Sequence, residues 1–319
     1  MTLEEKLKKK IEVLSDQAWA RRVLWPDVED WLSNFDGRFY PVEVERVHAL
    51  FLLAQVMYFD LELMREMLKS VYENLYRQPI ISKIRRAHND TLDSDFIEAK
   101  FDEELSATRF IGVGNPSESG PHLLYYFRQV NSLSKNLFID TGDIFSFSRD
   151  GNDVPVISQA DTTVTRYVFI DDLLGSGTQI TTYLGKKLPE VKRFPAVECF
   201  YYALFATSDG LAHARGRDLF DENAACVFEL DDTFKCFSEH SRAFANTPEG
   251  LDMATARAIA KGYGLPLFGE DNALGYKDGQ LLISFLHNTP DNSLPILWID
   301  FPKYYAWKPI FKRFDKKYN

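Results

Sequence analysis

Along the middle of the chain, short continuous apolar runs alternate with segments whose apolar residues recur every three or four positions. That pattern predicts strands buried on both faces of a parallel sheet, each followed by a helix. Tyr167, Val168, Phe169 and Ile170 form one such run, and residues 180–188 carry the helical spacing after it. Residues 109–113 (RFIGV) form another, followed by GNPSESGP, which is dense in turn formers, and then by Leu123, Leu124, Tyr126 and Phe127 at helical spacing. Residues 136–140 (NLFID), 197–205 and 225–230 read as further strands, and the right-handed crossover rule gathers these elements into one sheet. Between them, residues 142–165 are polar, contain Gly and lack periodicity, which predicts a long irregular lid or mobile loop.

The two ends of the chain have another texture. Leu3, Leu7, Ile11 and Leu14 recur at helical spacing, Pro26 opens a new segment, and residues 41–53 and 61–75 read as helices, with a turn at Phe35-Asp36-Gly37. We therefore expect a helical N-terminal module over residues 1–104 and a sheet domain with a C-terminal extension over residues 105–319. In that extension residues 238–263 read as a helix and 264–271 as a turn region. Two apolar segments then flank the polar knot of His287, Asn288, Thr289, Pro290, Asp291 and Asn292.

Candidate chemistry gathers where apolar runs end. Asp171 and Asp172 stand at the carboxyl end of the 167–170 run, where open α/β sheets bind ligands. Gly175, Ser176, Gly177 and Thr178 can wrap a phosphate, because glycines admit close backbone approach, a helix start offers unpaired N–H groups and the hydroxyls add donors. A buried strand capped by Asp and a Gly turn explains the same residues without a ligand. A Walker A loop is excluded, since its Gly-Lys-Ser/Thr ending is absent. Gly114, Asn115, Ser117 and Ser119 lie in a second strand-to-helix loop, which an ordinary turn accounts for equally well. Asp209, Asp231 and Asp232 follow later strands as ligand contacts or helix caps. His287 and Asn288 could line a pocket or simply build a tight turn.

At RYVFIDDLLGSGTQ the chain resembles the type I phosphoribosyltransferases and phosphoribosyltransferase-like proteins, whose signature is a hydrophobic strand, two acids, two apolar residues and a Gly/Thr loop. GYKDGQLLISFLHNTPDNSLPILW, residues 275–298, resembles a second signature found in a subset of them, the domains predicted as effectors in bacterial conflict (antiphage) systems. The resemblance spans residues of about 105 to 300. It implies an α/β fold with a mostly parallel sheet of phosphoribosyltransferase type, a helical N-terminal module and an α+β hood-like C-terminal region. It also implies that Asp171 and Asp172 hold the ribose hydroxyls of phosphoribosyl pyrophosphate and organise Mg²⁺. Gly175 to Gln179 would hold the 5-phosphate, and the loop with Gly114, Asn115 and Ser117 would receive pyrophosphate. Gln179 stands where many members carry Thr or Ser. The implied reaction is transfer or hydrolysis at the ribose anomeric carbon by an antiphage effector. Such an effector would have a protein sensor partner, a reverse transcriptase or a nucleotide-signalling module; the alternative is a catalytically inactive nucleotide-binding sensor or regulatory subunit of a larger complex. Arg149 is the single basic residue inside the segment that corresponds to the family's flexible catalytic loop.

Composition narrows the partners. With 319 residues, 45% of them hydrophobic, the chain can bury a full α/β core and carry an extension. A net charge of −10 argues against a protein that coats duplex nucleic acid, because such binding depends on cationic neutralisation of phosphates. No apolar run reaches membrane-spanning length and no signal-peptide pattern is seen, so a cytoplasmic protein is expected. Cys199, Cys226 and Cys236 lack metal spacing and read as buried thiols.

Overall fold

The run that begins at Arg166 becomes the centre of a sheet because every residue from Arg166 to Asp171 is buried, as a strand covered on both faces requires. The computed structural model describes residues 1–115, 118–300 and 306–313. Its strands are β1 (Met57–Phe59), β2 (Thr108–Gly112), β3 (Phe145–Arg149), β4 (Pro155–Gln159), β5 (Arg166–Leu174), β6 (Glu198–Thr207), β7 (Ala224–Leu230) and β8 (Ile283–Phe285). The α/β architecture with mostly parallel pairing is as the sequence implied.

Contacts divide the chain into residues 64–229 and residues 1–63 with 230–319, a different grouping from the expected 1–104 and 105–319. In the first unit a four-stranded sheet runs in the order β2-β5-β6-β7. β5 pairs in parallel with β2, from Thr108 opposite Arg166 to Gly112 opposite Ile170, and with β6, from Arg166 opposite Glu198 to Leu174 opposite Ala206. Alternation along β5 sends Tyr167 and Phe169 to a core shared with Tyr201, Ile180, Leu184, Leu211 and Phe220. On β2, Phe110 meets Phe127 of helix Ser119–Val130 and Tyr76, each at 5.1 Å between ring centroids. Arg166 is the strand's buried first residue, paired with Glu104 at 2.8 Å and Glu198 at 3.6 Å.

Two expectations for this unit need correction. Residues 136–140 do not form a strand: 3₁₀ turns Lys135–Leu137 and Thr141–Ile144 bracket Phe138, which makes one isolated parallel bridge to Phe110. Three apolar residues between Asn and Asp are too few to outweigh turns capped by Ser134 and Asp140. Nor is 142–165 irregular throughout, because β3 and β4 pair antiparallel there as a hairpin. Its turn is built by Asp150, whose Oδ1 accepts from the N–H groups of Asn152 (2.8 Å) and Val154 (3.0 Å). Arg149 ends β3 in a 2.8 Å pair with Asp153.

The second unit is mainly helical, with Leu3–Gln17, Trp25–Leu32, Val42–Leu53 and Met253–Phe268 around an aromatic core. β1 and β8 add a short parallel ribbon. Phe35 sits edge-on to Trp31 and Tyr263, both at 5.1 Å, and Trp31 Nε1 donates to Ile296 O at 2.7 Å. Glu45 is fully buried yet satisfied, accepting from the N–H groups of Gly37 (2.8 Å), Phe39 (2.8 Å) and Tyr40 (3.1 Å) and from the Tyr263 hydroxyl (2.6 Å). The late helix spans Met253–Phe268 rather than 238–263: Asp252 caps its start, accepting from Thr255 N at 2.8 Å, and the helix continues through Gly264. A Cβ on Gly264 would meet Ala273 O at 1.9 Å, so the helix passes there because the residue is glycine. Gly264→Ala is expected to cost about 1–3 kcal/mol by overpacking, read as a fall of several degrees in the melting midpoint; an unchanged midpoint would show that the 273 carbonyl yields. No helix among the described residues is long and apolar enough to cross a membrane.

Candidate functional site

Three parallel-running segments end side by side. β5 continues through both acids to Leu174, so Asp171 and Asp172 lie within the strand rather than after it. Val113 N donates to Ile170 O at 3.0 Å, which sets the start of the Gly114 loop beside the acids. On the other side, Leu174 lies opposite Ala206, so the end of β6 reaches the same edge.

Adjacent strand residues point to opposite faces, and the two acids therefore differ. Asp171 is 2% exposed. Its Oδ2 accepts from the Tyr201 hydroxyl and its Oδ1 from the Asp172 N–H, both at 3.0 Å. Burial first, then the neighbouring Asp172 carboxylate, pushes its carboxyl well above the ordinary value near 3.8, against the pull of the Tyr201 hydrogen bond. Burial and the charge of Asp171 raise the Tyr201 phenol as well, keeping it a neutral donor. Asp171 is thus enclosed, each of its oxygens accepting one hydrogen bond, while Asp172 is half-buried. Asp172 Oδ1 accepts from Leu173 N at 2.8 Å.

The next loop turns as the glycines suggested. Gly177 has φ +74°, in the left-handed region, and precedes the short helix Thr178–Leu184. Ser176 and Gln179 are half-buried and Thr178 exposed, with the Ser176 and Thr178 hydroxyls 2.9 Å apart. Gly175 is held by Thr207, whose hydroxyl donates to its carbonyl at 2.7 Å. In the other loop Gly114 has φ +109°, and Asn115 N–H donates to Glu118 Oε2 at 3.0 Å. Ser117 lies outside the described residues. Gly112 and Gly120 let this loop and its helix close on the strand, since a Cβ on Gly120 would meet Val113 O at 2.2 Å.

The remaining candidates are dispersed. Asp209 is exposed in the first turn of helix Ser208–Ala214, after β6. Asp231 caps a turn, accepting from Thr233 N at 2.9 Å. His287 and Asn288 belong to the other unit, where the imidazole stacks on Phe285 at 5.6 Å and Asn288 Oδ1 accepts from Thr289 N at 3.1 Å. Sequence reasoning did not single out Tyr201, Glu118, Thr207 or His213. Tyr201 carries no local signal, because its reach to Asp171 follows from the β5–β6 register; Thr207 had one, as an N-cap hydroxyl before Asp-Gly.

Among the described residues, no three His, Cys, Asp or Glu side chains gather around a cation position. Half-buried Asp172 could take part in holding Mg²⁺, an ion that takes few protein ligands and keeps several waters. The arrangement offers one acid for hydroxyls or a cation and two Gly-turn loops for anions.

A family model described as PRTase-CE matches residues 28–313. Similar solved structures include the xanthine-guanine-hypoxanthine phosphoribosyltransferase of Helicobacter pylori, 10% identical over 55% of this chain and 87% of that one, with a TM-score of 0.25. They also include the AQ2163 protein of Aquifex aeolicus (11% identical, 65% and 82% covered, TM-score 0.28). A purine phosphoribosyltransferase of Pyrococcus horikoshii is 18% identical, with 43% and 77% covered and a TM-score of 0.21. No curated protein matches the chain.

Proposed function

The chain belongs to the PRTase-CE family, and from that premise we propose that it binds phosphoribosyl pyrophosphate or a related nucleotide across the ends of β2 and β5. The observation that carries this reading is the Val113–Ile170 hydrogen bond, which brings the Gly114 loop beside the acids that lead into the Gly175–Thr178 loop. Asp172 accepts hydrogen bonds from the ribose hydroxyls. Backbone N–H groups and the hydroxyls of Ser176 and Thr178 hold the 5-phosphate, and Asn115 with Gly114 lines the place for pyrophosphate. Asp171 touches no ligand and orients the Asp172 backbone through the bond from its N–H. Asp172 would be the residue that holds Mg²⁺, which would supply neutralisation of the pyrophosphate charge. Reaction breaks the bond from the anomeric carbon to pyrophosphate and forms one to an acceptor nitrogen or to water; with water the products are ribose 5-phosphate and pyrophosphate. Fixing the sugar and its charges is the main demand of such a step. In this reading the protein is an effector of antiphage defence, paired with a sensor such as a reverse transcriptase or a nucleotide-signalling module.

Glu118 favours a second reading. Its carboxylate accepts the Asn115 N–H that pyrophosphate would use, so the loop meets its own acid, as in a nucleotide sensor that no longer turns over. One experiment serves both readings: melting with phosphoribosyl pyrophosphate and Mg²⁺, followed by measurement of pyrophosphate release. Ligand at a hundredfold over Kd is expected to stabilise the native state by about 2.7 kcal/mol. A raised midpoint with pyrophosphate release supports the enzyme, and a raised midpoint without release supports the sensor. No rise at millimolar ligand overturns the binding site, and absence of a co-purifying sensor from the native host overturns the effector pairing.

A further inference from the structure

One segment, residues 207–213, braces the Gly175–Thr178 loop at two points. At the first, the Thr207 hydroxyl donates to Gly175 O at 2.7 Å and accepts from Gly210 N at 3.0 Å. Gly210 is required for this approach, since a Cβ there would lie 2.1 Å from Gly175 O. At the second, the imidazole of His213 lies where Gly177 has no side chain, its Cδ2 being 2.3 Å from the position of a Cβ. His213 Nε2 is 2.9 Å from Thr181 Oγ1, and that hydroxyl donates to Gly177 O at 3.2 Å.

One proton assignment satisfies both contacts: with the Thr181 hydroxyl proton on Gly177 O, Oγ1 accepts from His213 and Nε2 carries the ring proton. Gly177 O also accepts from Thr181 N at 3.2 Å. A carbonyl fixed from two directions fixes its peptide plane, and in a trans peptide the N–H of Thr178 then points the opposite way.

We infer that His213 is a positioning residue for phosphate, holding the Gly177–Thr178 peptide through Thr181 so that the Thr178 N–H faces the anion. The inference rests on the reading of residues 175–179 as the phosphate loop. His213 is itself exposed, so its truncation leaves the core untouched.

The test is calorimetric titration of ribose 5-phosphate into wild type, His213→Ala, His213→Gln and Thr181→Val. His213→Ala is expected to weaken binding about three- to tenfold, the effect of one lost hydrogen bond, with the ligand-free melting midpoint unchanged within about 2 °C. His213→Gln is expected to restore most of the affinity, because its amide presents an N–H donor at the reach of Nε2; a merely space-filling role would not distinguish it in this way. Thr181→Val should match His213→Ala, and the double variant should be no worse than either single one. If wild type binds and His213→Ala binds equally well, or Gln rescues no better than Ala, the role of His213 is overturned while the phosphate loop stands. If wild type binds no ribose 5-phosphate, the phosphate-loop reading falls and takes this inference with it. Should His213→Ala not fold, Thr181→Val decides from the other end of the relay, and unchanged affinity there overturns it.

Discussion

Asp172→Asn is expected to weaken phosphoribosyl pyrophosphate binding in Mg²⁺ about tenfold to a hundredfold while leaving the fold intact. The magnitude follows from the loss of hydrogen bonds to a charged acceptor, each worth about 1.5–3 kcal/mol against about 1.4 kcal/mol per factor of ten. The fold should survive because Asn keeps an oxygen where Asp172 Oδ1 now accepts from Leu173 N at 2.8 Å. The substitution also removes the charge that, after burial, does most to raise the Asp171 carboxyl, so the enclosed neighbour is relieved rather than strained. Titration calorimetry on both proteins, with melting curves as the control for folding, checks this. Affinity equal to wild type would place the ribose away from β5 and remove the central element of the binding proposal.

What the sequence made legible was local. A continuous apolar run, two acids and a Gly-rich turn specify their own strand and loop, and these formed with only the strand end displaced, from 170 to Leu174. The hairpin at β3 and β4 carried a signal, since Phe145-Ser146-Phe147-Ser148 alternates, but the alternation lasts four residues, is not matched in Pro155–Gln159, and belongs to strands that are largely exposed. The grouping of residues 1–63 with 230–319 was not legible. Its bonds join distant parts of the chain, such as Trp31 Nε1 to Ile296 O and the Tyr263 hydroxyl to Glu45, and no local pattern announces such partners. The unlike fates of Asp171 and Asp172 fall between these cases. Strand alternation says that neighbours face opposite ways, but which one is enclosed depends on Tyr201, placed by the register of β6.

That enclosure predicts an unusual pH dependence, the opposite of the stabilisation that paired surface carboxylates give. The unfolded chain releases the Asp171 proton near the ordinary value of 3.8, whereas the folded protein holds it to higher pH. Between those two values the native state binds more protons than the unfolded state, so the stability contributed by this group falls as pH rises. It is fully present below the ordinary value and lost once pH passes the raised, folded one. Asp171→Asn cannot ionise and should abolish this slope, with an oxygen still accepting the Asp172 N–H and an amide turned toward Tyr201. Its absolute midpoint carries a cost of about 1 kcal/mol for the disturbed Tyr201 hydroxyl. The informative quantity is therefore the difference between variant and wild type, which should move in favour of the variant as pH rises from 4 to 9. Tyr201→Phe should act in the other sense: loss of a bond that lowers the Asp171 carboxyl extends the falling limb to higher pH, and the orphaned Oδ2 costs about 1–3 kcal/mol. Melting midpoints of the three proteins across that range test both statements together. Parallel curves would mean that Asp171 is ionised in the native protein, and the two acids would then share the site as equals.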